Sequence, residues 1–162
     1  MRIAPVLLLT LLPLPAFADC AGGEEVFTCQ IAAKSLEICH QGTDLTYAFG
    51  PAGNPDLTIT ESLTTVNFTP WPGVGSAIWE SVAFVNDDYA YEVWTSQQRN
   101  GDESTPLDAG INVLNGEELV AELRCDPGTA SQPLEGIWEL KESVGLCWEF
   151  TSYTWKTTCD NG

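Results

Sequence analysis

INVLNGEELVAEL, residues 111–123, holds two short apolar runs on either side of Asn115-Gly116. Asn-Gly is the dipeptide that most readily takes the positive φ angles of a tight hairpin turn. INVL and ELVAEL therefore read as neighbouring antiparallel strands. Within the second run Leu119, Ala121 and Leu123 lie two apart and share one face with Cys125, because side chains alternate along a strand.

Working outward, the same pattern recurs. LTYAF at 45–49 meets the Gly/Pro turn GPAGNP, and DLTIT resumes at 56–60. AIWESVAFV at 77–85 faces YAYEVW at 89–94 across Asn86-Asp87-Asp88. FTCQIAAKSLEICH reads as a further hairpin, and helical spacing is almost absent beyond the first 18 residues. The expectation is an all-β chain, an antiparallel meander forming a small barrel or a sandwich.

The ends differ from this middle. MRIAPVLLLTLLPLPAFA at 1–18 has a basic start, a short apolar run and an Ala-x-Ala ending. It reads as a secretory signal peptide cleaved after Ala18, too short to span a membrane. Residues 19–125 form the expected main β domain. Residues 126–162 form a linker, DPGTASQPLEG, and a small disulfide-held extension in which IWELK, LCWEF and SYTWKTTC read as short strands packed on that domain.

All six cysteines follow the leader. An even number in an exported chain implies three disulfides, for which 15 pairings exist. Strand phase places Cys29, between Phe27 and Ile31, and Cys125 on inward faces, whereas Cys39 points outward with Glu37. The favoured pairs are Cys29–Cys125, a local Cys147–Cys159 and Cys20–Cys39, with a Cys29–Cys39 hairpin bridge as the competitor.

Net charge is −17, from 23 acidic and 6 basic residues. Such a surface repels nucleic acid and anionic lipid, so neither is an expected partner, and no segment beyond the leader suggests membrane insertion. Attraction to a basic protein or a divalent cation, and simple solubility in salt, are the two readings of the charge. No Cys-x2-Cys pair, calcium-loop spacing or phosphate-binding glycine loop is present, so no metal and no cofactor is expected. His40 is the only histidine and adjoins Cys39. No Ser-His-Asp pattern forms around it, and no catalytic residue is assigned.

Three tryptophans, Trp79, Trp138 and Trp148, are each followed by glutamate. In strands the two side chains would lie on opposite faces, so Trp138 with Leu140, and Trp148 with Phe150, read as inward pairs with Glu139 and Glu149 outward. Trp79 lacks such company and could be exposed. NFTPWPGVGS at 67–76 fixes Trp71 between Pro70 and Pro72. This suits either a rigid recognition loop or an indole folded back over the end of the fold. Trp71, Trp79, Asp87 and Asp88 are the candidate binding residues.

Phe27–Cys29 (FTC), Tyr89–Trp94 (YAYEVW) and Cys125 closing VLNGEELVAELR resemble the small periplasmic β-barrel inhibitors of C-type lysozyme, over about residues 27–125. They are also similar to other exported bacterial proteins. The resemblance implies a protein that captures a basic hydrolase. The Ser-Gly loop with which that family enters the lysozyme cleft has Ser76-Ala77-Ile78-Trp79 as its nearest counterpart here, so no functional residue carries over. The leading expectation is an exported acidic binding protein for a basic partner. A glycan-binding protein or carboxylate-based glycan hydrolase, and a structural envelope component, are the alternatives. Oligomeric state is not read from the sequence.

Overall fold

The computed structural model describes residues 20, 22–101 and 105–159. The expected signal peptide, residues 1–18, and its expected cleavage point lie outside them. One sheet contains β1 (Glu24–Ile31), β2 (Lys34–Gln41), β3 (Asp44–Gly50) and β4 (Leu57–Ser62) in that order. The other contains β5 (Asn67–Thr69), β6 (Ala77–Asn86), β7 (Tyr89–Gln98), β8 (Asp108–Asn115) and β9 (Glu118–Arg124), also in sequence order. All pairings within these two sheets are antiparallel, and they do not close on each other. The architecture is a β-sandwich.

Period-two alternation builds the shared interior. Leu36 and Ile38 of β2 and Leu45 and Tyr47 of β3 meet Val82 and Phe84 of β6, Val93 of β7 and Ile111 of β8, all buried. Each such side chain contributes roughly 1.5–3 kcal/mol by leaving water. The Tyr47 ring bridges the layers, with its centroid 5.5 Å from that of Phe84 and 5.7 Å from that of Tyr91.

Three disulfides join Cys20 to Cys39, Cys29 to Cys125 and Cys147 to Cys159, the three favoured pairs, of which strand phase selects the second. The second ties β1 of one sheet to the end of β9 in the other. The bridges belong to an oxidising compartment. Among the described residues no helix is long and apolar enough to cross a membrane.

The 111–123 hairpin forms, with its turn one residue later than expected. Asn115 pairs with Glu118, so Gly116 and Glu117 are the loop, and only Gly116 needs a positive φ, of 61°. A register shift between Val113 and Leu114 absorbs the difference. Glycine first and an ordinary residue second is the pattern of a II′ turn. Among the described residues no strand pairs with the far side of β9, which is the open edge of its sheet.

Gly110 on β8 permits a close approach. A Cβ there would stand 2.8 Å from Cζ2 of Trp94 and would collide with the Leu123 carbonyl. Trp94 lies on the outer face, with the Arg124 guanidinium 5.2 Å above its ring. Gly110→Ala is expected to cost about 2 kcal/mol through overpacking. Urea unfolding reads this; unchanged stability would mean that ring and strand give way freely.

Residues 126–132, which read as a linker, are a strap along the outer edge of β1. Asp126 N–H donates to the Gln30 carbonyl (2.7 Å) and Ser131 N–H to that of Thr28 (2.9 Å). In return, Thr28 N–H donates to Ser131 Oγ (2.9 Å) and Gln30 N–H to Thr129 Oγ1 (3.1 Å). An otherwise unpaired strand edge is thereby covered.

The strand expected at IWELK is instead helix α1 (Gly136–Ser143). Over five residues, Ile137, Trp138 and Leu140 fit either period. A longer window settles it, because Leu134, Ile137, Lys141 and Val144 follow helical spacing and all meet the interior. Gly145, at φ 83°, ends the helix. Its N–H bonds the Glu142 carbonyl at 2.9 Å and that of Leu146 bonds Lys141 at 3.1 Å, the paired bonds of a Schellman stop. A two-stranded ribbon, β10 (Cys147–Glu149) and β11 (Thr154–Lys156), follows. Trp155 docks it on the sandwich, its Nε1 donating to the Phe68 carbonyl (2.7 Å) and its ring 5.2 Å from Trp138 and 5.3 Å from Trp148.

Candidate functional site

Where β6 begins, the strap ends and α1 starts, these elements leave a cleft of about 660 Å3. Its walls include Trp71 from the loop before β6, Trp138 of α1 and Phe150 after β10. Its acids are Glu80 of β6, Glu135 and Glu139. Lysine, arginine and histidine are missing from this lining. A second hollow of about 390 Å3 lies beside the Cys20–Cys39 bridge on the outer face of the first sheet. It is mainly apolar, with Glu37 as its one charged residue, and offers no comparable convergence of groups.

The Trp71 loop is folded tightly. Indole Nε1 donates to the Val74 carbonyl (2.9 Å), and the Arg99 guanidinium sits 5.0 Å from the ring centroid. The indole is half-buried, with part of it forming the cleft wall. It is thus neither a freely projecting anchor nor a plug in the interior.

The other three candidates lie elsewhere. Trp79 is 41% exposed on β6 and points away from the cleft, because Glu80, the next residue, points towards it. Asp87 and Asp88 form the turn at the opposite end of β6, with Asp87 at φ 54°. That strand has 10 residues, placing the turn roughly 30 Å from the Trp71 loop at about 3.3 Å per residue. The structure therefore does not bring Asp87 and Asp88 together with Trp71.

The Trp138–Glu139 pair is corrected too. Trp138 and Glu139 both line the cleft, because consecutive helical residues are about 100° apart instead of strand-opposed. Trp148 is half-buried, and Glu149 is held by Thr151, whose N–H (3.2 Å) and hydroxyl (2.8 Å) both donate to its Oε1. Those bonds, assisted by Lys156, hold the Glu149 carboxyl below its ordinary range. Phe150, expected inward beside Trp148, is 59% exposed and reaches Trp138 at 6.2 Å.

Glu80 is the residue that sequence reasoning overlooked. It shares the inward phase of Val82 and Phe84 and is 7% exposed. Its Oε2 is buried with no hydrogen-bond partner. Burial, and secondarily the charge of Glu135, pushes its carboxyl up to about 7. The signal was available in the sequence, as the alternation Ile78-x-Glu80-x-Val82-x-Phe84 puts a carboxyl on the core face.

His40, by contrast, uses its Nε2–H on the Gly42 carbonyl at 2.8 Å. Among the described residues no group of three His, Cys, Asp or Glu side chains is placed to hold a metal ion. The chain matches no protein-family model, no curated protein and no solved structure.

Proposed function

We propose that this is an exported acidic binding protein that captures a basic protein, of the kind represented by a lysozyme-type hydrolase, through the cleft beside Trp71. The observation that carries the reading is the cleft's composition: aromatic walls and three carboxylates with no basic residue between them. Indole and phenyl groups attract cations as well as apolar stems, and carboxylates complement the charge. The net charge of −17 would speed encounter with a cationic partner.

Affinity for a C-type lysozyme, and for other cationic hydrolases, is expected to fall ~10-fold or more between roughly 0.05 and 0.5 M salt, as screening shortens the reach of the acidic surface. Binding unchanged across that range would remove the charge argument, and absence of binding would remove the reading.

A second reading draws on the same lining. Trp71, Trp138 and the carboxylates share one surface, as sugar recognition requires. Neutral oligosaccharides would then quench tryptophan emission with little dependence on salt. Unaltered emission would exclude it.

A further inference from the structure

Two of the three cleft acids have an ordinary structural explanation. Glu135 stands at the N-terminal boundary of α1 and Glu139 in its first turn. Negative charge is favoured there by the unsatisfied N–H groups of the helix end. Both side chains remain exposed.

Glu80 has no such explanation. It lies on a strand, more than nine-tenths buried, and Oε2 lacks a partner. Each basic residue of the described chain is engaged with another group. Lys34 pairs with Asp56, Arg124 with Asp108 and Glu122, and Lys156 with Glu149. Lys141 donates to the Leu63 carbonyl, and Arg99 lies over Trp71 and reaches the Gly75 carbonyl. His40 has Glu24 at 4.0 Å. A buried carboxylate without an internal counter-charge opposes folding. An apolar or amide residue would suit the core phase of β6 better. The missing positive charge has one open approach, the cleft that Glu80 lines.

We infer that Glu80 is the recognition carboxylate of the cleft: it takes the head group of a single lysine or arginine side chain of the partner, whose stem lies against Trp71, Trp138 and Phe150. This deepens the proposed capture of a basic protein and rests on that reading. A cation entering the cleft would meet Glu135 and Glu139 at the rim and Glu80 beyond them. No positive group lining the cleft competes with it. The groups around Glu80 are otherwise neutral. Thr95 is its cross-strand partner on β7, and Gln132 comes from the strap.

Glu80 must be ionised to hold the cation. Because its carboxyl titrates at about 7, occupancy by a cation should strengthen as pH rises from 6 to 8 and release a proton below that point. Without ligand the sign for stability is opposite. The folded state holds this proton from the ordinary 4.5 up to about 7 while the unfolded chain does not, so stability falls as pH rises through that window.

The test uses the mature protein, wild type and Glu80→Gln, with a lysine decapeptide and a C-type lysozyme as probes. Glu118→Gln, on the open β9 edge, serves as the charge-matched control. The decapeptide is N-acetylated, so its side-chain charge is kept between pH 6 and 8 and any pH dependence belongs to the protein. Glu80→Gln is expected to bind both probes at least ~10-fold more weakly than wild type at pH 8, and Glu118→Gln within ~2-fold. Wild-type affinity for the decapeptide should rise from pH 6 to pH 8, and that of Glu80→Gln should stay level. Glu80→Gln should also melt higher than wild type at pH 8, which separates lost recognition from lost folding. Equal binding by Glu80→Gln and Glu118→Gln, or a level wild-type pH profile, overturns the role of Glu80 while leaving capture of a basic partner standing. If wild type binds neither probe, both readings fall together.

Discussion

Replacing Cys29 and Cys125 together by alanine is expected to lower stability by about 4 kcal/mol, since constraint of the unfolded chain grows with the length of the closed loop. This bridge spans 96 residues, against 12 for Cys147–Cys159 and 19 for Cys20–Cys39. Loop entropy alone separates long from short bridges by only about 1.5 kcal/mol. Packing adds to the difference. Cys29 is 1% exposed and belongs to the interior, so its removal also opens space between the sheets, whereas Cys159 is exposed. The bridge further fixes the start of the strap that covers β1. Thermal unfolding should show the Cys29/Cys125 double variant melting roughly 15 °C below wild type, and the Cys147/Cys159 variant much nearer to it. Equal losses would mean that the sheets hold together without the inter-sheet link.

Lys141 gives the second large effect. It projects from α1 into the interior, is 1% exposed, and its Nζ donates to the Leu63 carbonyl at 2.9 Å, with the Trp155 ring 5.3 Å away. Lys141→Ala removes the buried stem and leaves that carbonyl without its donor, an expected loss of about 3–4 kcal/mol. Lys141→Met keeps most of the volume and should cost less. The pH profile identifies the charge itself. Burial pushes the Lys141 ammonium down to about 8, with Glu61 partly offsetting it. Between there and the ordinary 10.5, the unfolded chain carries a proton that the folded protein has released. Stability should therefore rise with pH through this window, by up to about 3 kcal/mol for a shift of this size. Burial, with a smaller contribution from Tyr91, holds the Tyr47 phenol above its ordinary range, so its effect opposes the rise above pH 10. The interval from pH 8 to 10 is the one to measure. Urea unfolding should give a rising wild-type curve and a level one for Lys141→Met; parallel curves would mean that Lys141 is not desolvated.

Strands such as β2, β3, β6 and β7 were legible because they present alternating side chains to a single interior, whereas β9, exposed except at Leu123, was betrayed by its turn. The same phase rule, applied to Cys29 and Cys125, selects the inter-sheet bridge. It misleads at IWELK, where five residues satisfy two periods, and the deciding positions, Leu134 and Val144, lie beyond the quoted run. The cleft was less accessible to sequence reasoning. Trp71, Glu80, Glu135, Trp138 and Phe150 come from separate elements, and nothing local brings them together. Proximity in the chain was a poor guide as well: Asp87 is 16 positions after Trp71 yet lies at the far end of a straight strand, whereas Phe150 is much later in sequence and shares the cleft. Only Glu80 announced itself locally, as an acid in the phase of Val82 and Phe84.

The open flank of β9 gives the chain's acidity a second meaning. Leu119 and Val120 stand out there at 52% and 47% exposure, with Glu117, Glu118 and Glu122 interspersed. A bare row of amides and carbonyls invites another copy to zip alongside. At −17 per molecule, two copies approaching edge to edge would repel before those rows meet. Salt would screen that repulsion and let two such edges approach.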